Sequence, residues 1–294
     1  MSQHQFNTYF SLPRCLWFLP FALICFTANA AEFNLNHVTE KEINYLSIDD
    51  KQYPVLLRSW QGKKKLGLAI IVPALGQSPD AAGFNAYLRR QLNNAGWATL
   101  SITPPLKTAY PNHVTQPEDV AKAGTQQMSQ QADQAMPIYN AEQLALNTEQ
   151  QQSFLTNSLS QLDELGQPYQ GKRILICSGD SAGHIIELLR SSKLPVPDIL
   201  VVINPYRNNP SNNKILPSQL AEITVPVLDI QSEDGTAASK STQQRRFELS
   251  PQNAPLRYHQ QKMSLDLQHQ TGWSNGKKVI EGFALRINKA YPNR

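Results

Sequence analysis

Residues Leu66 to Val72 read Leu-Gly-Leu-Ala-Ile-Ile-Val, a nearly unbroken apolar run that Pro73 ends. A strand with one wet face alternates apolar and polar residues. Continuous apolarity instead marks a strand buried on both faces, as in a parallel sheet covered by helices. Comparable runs recur at Trp97 to Thr103, Arg173 to Cys177, Asp198 to Asn204 and Val225 to Ile230, and Leu256 to Met263 reads as a final strand. Helical spacing fills the gaps. From Asp80 to Ala95, Phe84, Tyr87, Leu88 and Leu92 fall three and four apart, and Gly96 closes the segment. Phe154, Leu155, Leu159, Leu162 and Leu165 mark a helix running from about Asn147 to Gly166. Further helices are predicted over Ser181 to Ser191, near Pro217 to Ala221, and over Ser239 to Leu249 and Lys277 to Tyr291. At the front, Glu42 to Ile48 and Tyr53 to Trp60 read as a hairpin around the polar turn Asp49-Asp50-Lys51. Strands separated by helices imply right-handed crossovers and a doubly wound, mostly parallel α/β sheet of about eight strands with helices on both faces. The 294 residues, 40% of them apolar, suffice for one such core, and no internal repeat or second domain is visible.

Two segments stand outside that pattern. Residues 1–30 carry Arg14 as their one Lys or Arg, an apolar run from Leu16 to Phe26, and small residues at Ala28 and Ala30. This is the layout of a secretory signal peptide cleaved near Ala30, which implies a periplasmic or secreted protein. Eleven apolar residues are too few to span a bilayer, so no stable membrane anchor is expected. Cleavage also removes Cys15 and Cys25, leaving Cys177 without a disulfide partner; inside an apolar run it reads as a small buried hydrophobe. The second segment, residues 104–147, is rich in Gln and poor in large apolar side chains, and reads as a surface insertion into the domain spanning 31–294. Net charge is +4, and Lys63-Lys64-Lys65 is the longest basic cluster, so nucleic acid binding has no support. No His, Cys or Asp cluster has metal-ligand spacing, and no metal or organic cofactor is indicated.

Gly179-Asp180-Ser181-Ala182-Gly183 follows a buried strand and opens a helix. A nucleophile on a tight strand-to-helix turn needs small flanking residues for close packing, and the helix N-terminus offers amides and positive potential to a developing oxyanion. Ser181 is therefore the candidate nucleophile. A serine at its ordinary pKa needs a base and an orienting acid, which follow it in the order acid, then histidine. Just beyond the strand Val227 to Ile230, Asp234 is best placed as the acid, with Glu233 second and Asp229 less suited inside the strand. His269, in the loop before the last helix, is the candidate base. His259 and His184 lie within a strand and a helix, and His37 and His113 come too early. The oxyanion donors would be the amides of Ala182 and of Ala74 or Leu75, although Pro73-Ala74 stands where active lipases and esterases commonly carry His-Gly.

Together with this elbow, four segments carry a family likeness: Val72 to Gln77, Ala95 to Ser101, Val201 to Tyr206 and Val225 to Ile230. In order and spacing they resemble domain-of-unknown-function family 3530, uncharacterised proteobacterial α/β-hydrolase-fold proteins, over roughly residues 66–290 apart from the insertion. The resemblance implies the hydrolase sheet, export to the periplasm and a serine elbow at Gly179 to Gly183. The elbow is also similar to that of hormone-sensitive-lipase-type esterases, whose upstream His-Gly-Gly run this chain lacks.

The leading expectation is a periplasmic serine hydrolase acting on a small-molecule carboxylic ester or related acyl compound through Ser181, His269 and Asp234. The altered 73–76 loop motivates the other reading, a non-catalytic envelope protein that uses this fold to bind a ligand or partner. The two differ in what the site should look like. Catalysis requires Ser181, His269 and Asp234 in one hydrogen-bonded chain beside free amides; binding leaves the amides occluded or His269 turned to solvent.

Overall fold

A computed structural model describes residues 33–107, 113–114, 136–137, 139–251 and 253–292. Residues 1–30, read above as a signal peptide, and much of the Gln-rich insertion lie outside the described residues. The strands are β1 (Ile43–Ile48), β2 (Lys51–Arg58), β3 (Gly67–Val72), β4 (Trp97–Ile102), β5 (His113–Val114), β6 (Met136–Pro137), β7 (Lys172–Ser178), β8 (Ile199–Ile203), β9 (Val227–Ser232) and β10 (Tyr258–Met263). The helices are α1 (Phe84–Gln91), α2 (Ala141–Ser160), α3 (Leu162–Gly166), α4 (Gly179–Arg190), α5 (Pro210–Ala221), α6 (Ala237–Leu249) and α7 (Gln270–Ala290). Among the described residues, no helix is long and apolar enough to cross a membrane.

Eight strands form one sheet in the order β1-β2-β4-β3-β7-β8-β9-β10, while β5 and β6 pair by themselves. The front hairpin β1–β2 is antiparallel and joins β4 antiparallel; every later pairing in the large sheet is parallel. Asp49 and Asp50 turn the hairpin with φ of 49° and 60°, the positive pair that a two-residue type I′ turn demands.

The apolar runs divide their side chains by the period of two. Leu68, Val72, Leu175, Cys177, Leu200 and Val202 face one layer, where Leu155, Leu159, Ile185, Ile186, Leu216 and Leu220 pack from α2, α4 and α5. Ala69, Ile71, Ile174, Ile176, Val201 and Ile203 face the other, against Phe84 and Leu88 of α1 and Ile280, Phe283 and Ile287 of α7. Both faces are dry, which accounts for the missing polar alternation in the sequence.

Several helices begin earlier than their apolar spacing predicts, and in α2 and α5 a side-chain cap accompanies the first residue. α2 starts at Ala141, six residues before Asn147, on a capping box in which Asn140 Oδ1 accepts from the Gln143 amide and Gln143 reaches back. Asn209 caps α5, with Pro210 at its first position. α7 starts at Gln270, which makes His269 its N-cap residue. The shift with the greatest chemical consequence is at α4, which starts at Gly179 rather than Ser181.

The chain leaves β3 toward β4 on one side and leaves β7 toward β8 on the other. Ligand crevices of open α/β sheets form at the carboxyl ends of strands at such a switch point. The loop after β3 and the first turn of α4 meet there.

A glycine elbow with an occupied amide pocket

β7 continues through Ser178, which pairs with Ile203 of β8. The strand-to-helix turn therefore falls on the next residue, Gly179, which has φ +58°. The elbow is two residues earlier than the Gly-x-Ser-x-Gly pattern suggests, and the residue on its turn has no side chain. Ser181 lies one step further into α4 than Asp180 and is 0% exposed, with no hydrogen-bond partner for its Oγ. Counting from the N-cap Ser178, Ala182 is the fourth helical position, the first whose amide the helix itself consumes. Ala182 is also fully buried.

The room around the turn is tight. A Cβ built on Gly179 would lie 3.2 Å from Ala74 Cβ and 3.4 Å from Tyr206 Cε1. At Gly183 a Cβ would overlap the Tyr206 carbonyl oxygen, so that glycine lets the chain after β8 cross directly over α4. Tyr206 is held there by its own amide, which donates to the Gly179 carbonyl at 3.2 Å.

The side chain that fills the switch point is Asp180. Buried at the positive end of α4, its Oδ1 accepts from the Leu75 amide at 2.9 Å and the Ser181 amide at 3.1 Å. Its Oδ2 accepts from the Tyr206 hydroxyl at 3.3 Å and lies 3.7 Å from Lys107 Nζ. A carboxylate on two amides at a helix N-terminus is well stabilised. The Ala74 amide is also taken, donating to Gln77 Oε1 at 3.2 Å. Both amides expected from the loop after β3 thus serve acceptors of the protein itself.

Asp234 and His269 are not joined. Asp234 Oδ1 accepts from Ser232 Oγ at 2.6 Å and from the Leu267 amide at 2.8 Å, tying the turn after β9 to the loop after β10 through a backbone group. The His269 side chain is 73% exposed, and its Nδ1 lies 2.7 Å from Asp266 Oδ2, a neighbour in its own turn. The His269 amide donates to the same carboxylate at 2.9 Å, so Asp266 closes a local turn just before α7. That exchange with His269 holds the Asp266 carboxyl below the usual range.

The other candidates lie apart from Ser181 or are tied to different partners. Asp229 is fully buried and paired with Arg246 of α6, Nε to Oδ2 at 2.8 Å, and also accepts from Tyr258 and Gln260. Glu233 is exposed, 3.9 Å from Lys240. His184 is buried in α4 with Nδ1 unpartnered; burial, with the charge of Arg207 second, drives its pKa down to about 3. Cys177 is buried with its thiol pushed well up by desolvation, an inert position. His259 stacks on Phe283 at 6.4 Å between centroids, and His37 bonds Asp80 at 2.8 Å. Trp273 donates from Nε1 to the Leu267 carbonyl at 2.8 Å and staples α7 to the loop before it.

Sequence reasoning passed over Asp180, Tyr206 and Lys107 as site residues. Asp180 was visible inside the motif and Tyr206 inside a recognised segment, but no local signal pointed to Lys107, which only the fold brings to Asp180.

Several solved structures that share this fold are named as hydrolases, at identities that carry the fold alone. Est1E from Butyrivibrio proteoclasticus superposes with a TM-score of 0.57 at 9% identity, covering 84% of this chain and 98% of that one. The esterase domain of a Rhodothermus marinus protein gives 0.52 at 10% identity over 83% and 98%. The dienelactone hydrolase of Anabaena variabilis ATCC 29413 gives 0.51 at 14% identity over 83% and 98%. Comparison with curated proteins returns no match. The sheet is that of the α/β hydrolases, and residues 26–286 match the model of a protein family of unknown function, DUF3530, to which this chain belongs.

Proposed function

We propose that this is a non-catalytic member of the hydrolase fold, exported to the cell envelope by its N-terminal segment, where it binds a ligand or partner. One observation carries the reading: the left-handed residue of the elbow is Gly179, which can present no nucleophile. The surroundings agree with it. An acyl-transfer oxyanion is stabilised by amides aimed at it in a dry site. Here the Leu75 amide already holds the Asp180 carboxylate. A second negative charge about 4 Å away would be opposed by about 4 kcal/mol at an effective dielectric near 20, a rate penalty of roughly a thousandfold. The exposed His269 pairs with Asp266 in its own turn, at the surface and not toward Ser181.

The rival reading keeps Ser181, His269 and Asp234 as a triad for an acyl substrate, and its support is the motif together with the family of folds. One experiment separates them. The mature protein is treated with a fluorophosphonate probe and offered nitrophenyl esters of graded chain length, beside Ser181→Ala. The binding reading expects no labelling or turnover that depends on Ser181. Labelling lost in Ser181→Ala would overturn it and restore the hydrolase.

A further inference from the structure

At the amino end of β3, away from the elbow, the turn between β2 and β3 carries Lys63, Lys64 and Lys65, all exposed. Both flanks of the triplet are tied to the segment after α1. The Gln61 amide donates to the Asn93 carbonyl at 3.0 Å, and the Leu66 amide donates to the Gly96 carbonyl at 2.8 Å. Gly96, with φ +100°, admits the turn: a Cβ there would fall 2.7 Å from Lys64 Cβ and 2.9 Å from the Lys64 carbonyl oxygen. The lysines therefore project from an anchored backbone, and little chain entropy is lost when they meet a partner.

The second half of α7 lies beside them. Lys63 and Lys64 share a groove of about 420 Å³ with Trp97, Glu281 and Leu285. Lys278, Leu285 and Lys289 follow one another at helical spacings of seven and four, which puts them on one stripe of α7, and all three are exposed. Arg286, also exposed, adjoins the stripe.

The charge of this surface is one-sided. Residues 59–66, 92–97 and 276–292 build it, and they contain seven Lys and Arg against one carboxylate, Glu281. That excess of six is larger than the +4 of the whole chain, so the positive charge is concentrated here and the rest of the molecule is net negative. Glu281 is engaged by Lys277 at 3.0 Å. Among the described residues, none of the other six cations forms an ion pair. Lys65 lies over the Trp60 ring at 5.7 Å and Arg286 over the Phe283 ring at 5.6 Å, contacts that leave their charge uncompensated.

We infer that this surface docks reversibly on an anionic lipid headgroup layer, with its lysines among the phosphates and Leu285 at the acyl boundary. Five of the six unpaired cations are lysines, point charges on flexible stems that suit a layer of mobile phosphates better than the fixed geometry of a carboxylate partner. Leu285, 50% exposed amid these charges, has nothing to pack against on an acidic polypeptide, whereas the boundary beneath lipid headgroups accepts it. Docked in this way, the carboxyl ends of the strands, with the elbow, face away from the bilayer. The inference goes beyond the reading of the elbow and stands whether or not the elbow is catalytic.

The test is co-sedimentation of the mature protein with vesicles of phosphatidylcholine and phosphatidylglycerol, beside vesicles of phosphatidylcholine alone and beside soluble polyglutamate. Binding is expected on the anionic vesicles and should be lost in about 1 M salt, where the screening length falls to about 3 Å. Lys63→Gln with Lys64→Gln should weaken it about thirtyfold at an unchanged melting temperature. Lys51→Gln with Lys214→Gln, the same loss of charge outside this surface, should leave it within about twofold. Leu285→Gln should cost about fivefold on vesicles. Equal losses from the two lysine pairs, or equal binding to neutral vesicles, overturns the surface. Capture by polyglutamate without binding to vesicles overturns the lipid assignment and identifies an acidic polypeptide as the partner. Failure of the binding reading is distinct: Ser181-dependent ester hydrolysis would leave each of these outcomes unchanged.

Discussion

Replacing Gly179 by alanine probes the residue on which the functional reading turns. Its φ of +58° lies in the left-handed region, where an L side chain costs about 1–2 kcal/mol. Stiffening of the unfolded chain destabilises the variant no further and instead returns about 0.4–1 kcal/mol where the fold accepts the new side chain. Here acceptance is poor. The new Cβ meets Ala74 Cβ at 3.2 Å, closer than ordinary contact, with Tyr206 Cε1 in contact at 3.4 Å, so the loop after β3 must give way by a few tenths of an ångström. The contact offsets the entropic gain, leaving a net loss of about 1–2 kcal/mol. For a domain of this size that lowers the melting temperature by roughly 2–8 °C. Urea unfolding followed by circular dichroism measures it as a lower midpoint at constant slope. Ser181→Ala is the paired control. Its buried Oγ has no partner, so its removal relieves a desolvation cost and favours the helix, and stability should hold or rise. The reasoning is refuted if Gly179→Ala is as stable as the wild type while Ser181→Ala loses more than about 1 kcal/mol, because Ser181 would then be the constrained, partnered residue.

The remaining expectations concern the frame around the site. Arg246→Met strands the Asp229 carboxylate in the core and should cost about 3–5 kcal/mol, while Asp229→Leu with Arg246→Met should recover at least half; equal losses in urea would contradict the pairing. Gly183→Ala should lose about 1–3 kcal/mol by forcing Tyr206 off α4, and unchanged resistance to limited proteolysis would argue against that crossing. Stability should fall on acidification. His184, held near 3, and Asp80, whose burial is outweighed by Arg89, His37 and Arg90 so that its pKa is lowered, each bind fewer protons folded than unfolded. Their contribution is complete above about pH 6.5, is lost first through His184 as the pH drops toward 3, and through Asp80 below about pH 4. A urea midpoint independent of pH from 7 to 4, or a His184 ring titrating near pH 6.5 by NMR, would contradict this.

Much of the architecture was legible in the residues alone. Runs such as Leu66 to Val72 announce strands dry on both sides, and the spacing of Phe84, Leu88 and Leu92 announces the helix that covers them, because burial imposes a local period on the chain. The site was legible only in outline. The motif correctly marked the join of β7 and α4, but the residue on the turn depended on where β7 stopped pairing with β8, a cross-strand register that no five-residue pattern contains. The same holds for the company each polar group keeps. Asp180 meets Leu75 across 105 positions of sequence, Asp234 meets a backbone amide rather than His269, and Lys107 reaches Asp180 from a separate loop. Local periodicity fixes which faces are buried; hydrogen bonds between distant segments exist only once the sheet has closed and the loops at its carboxyl edge have been brought together.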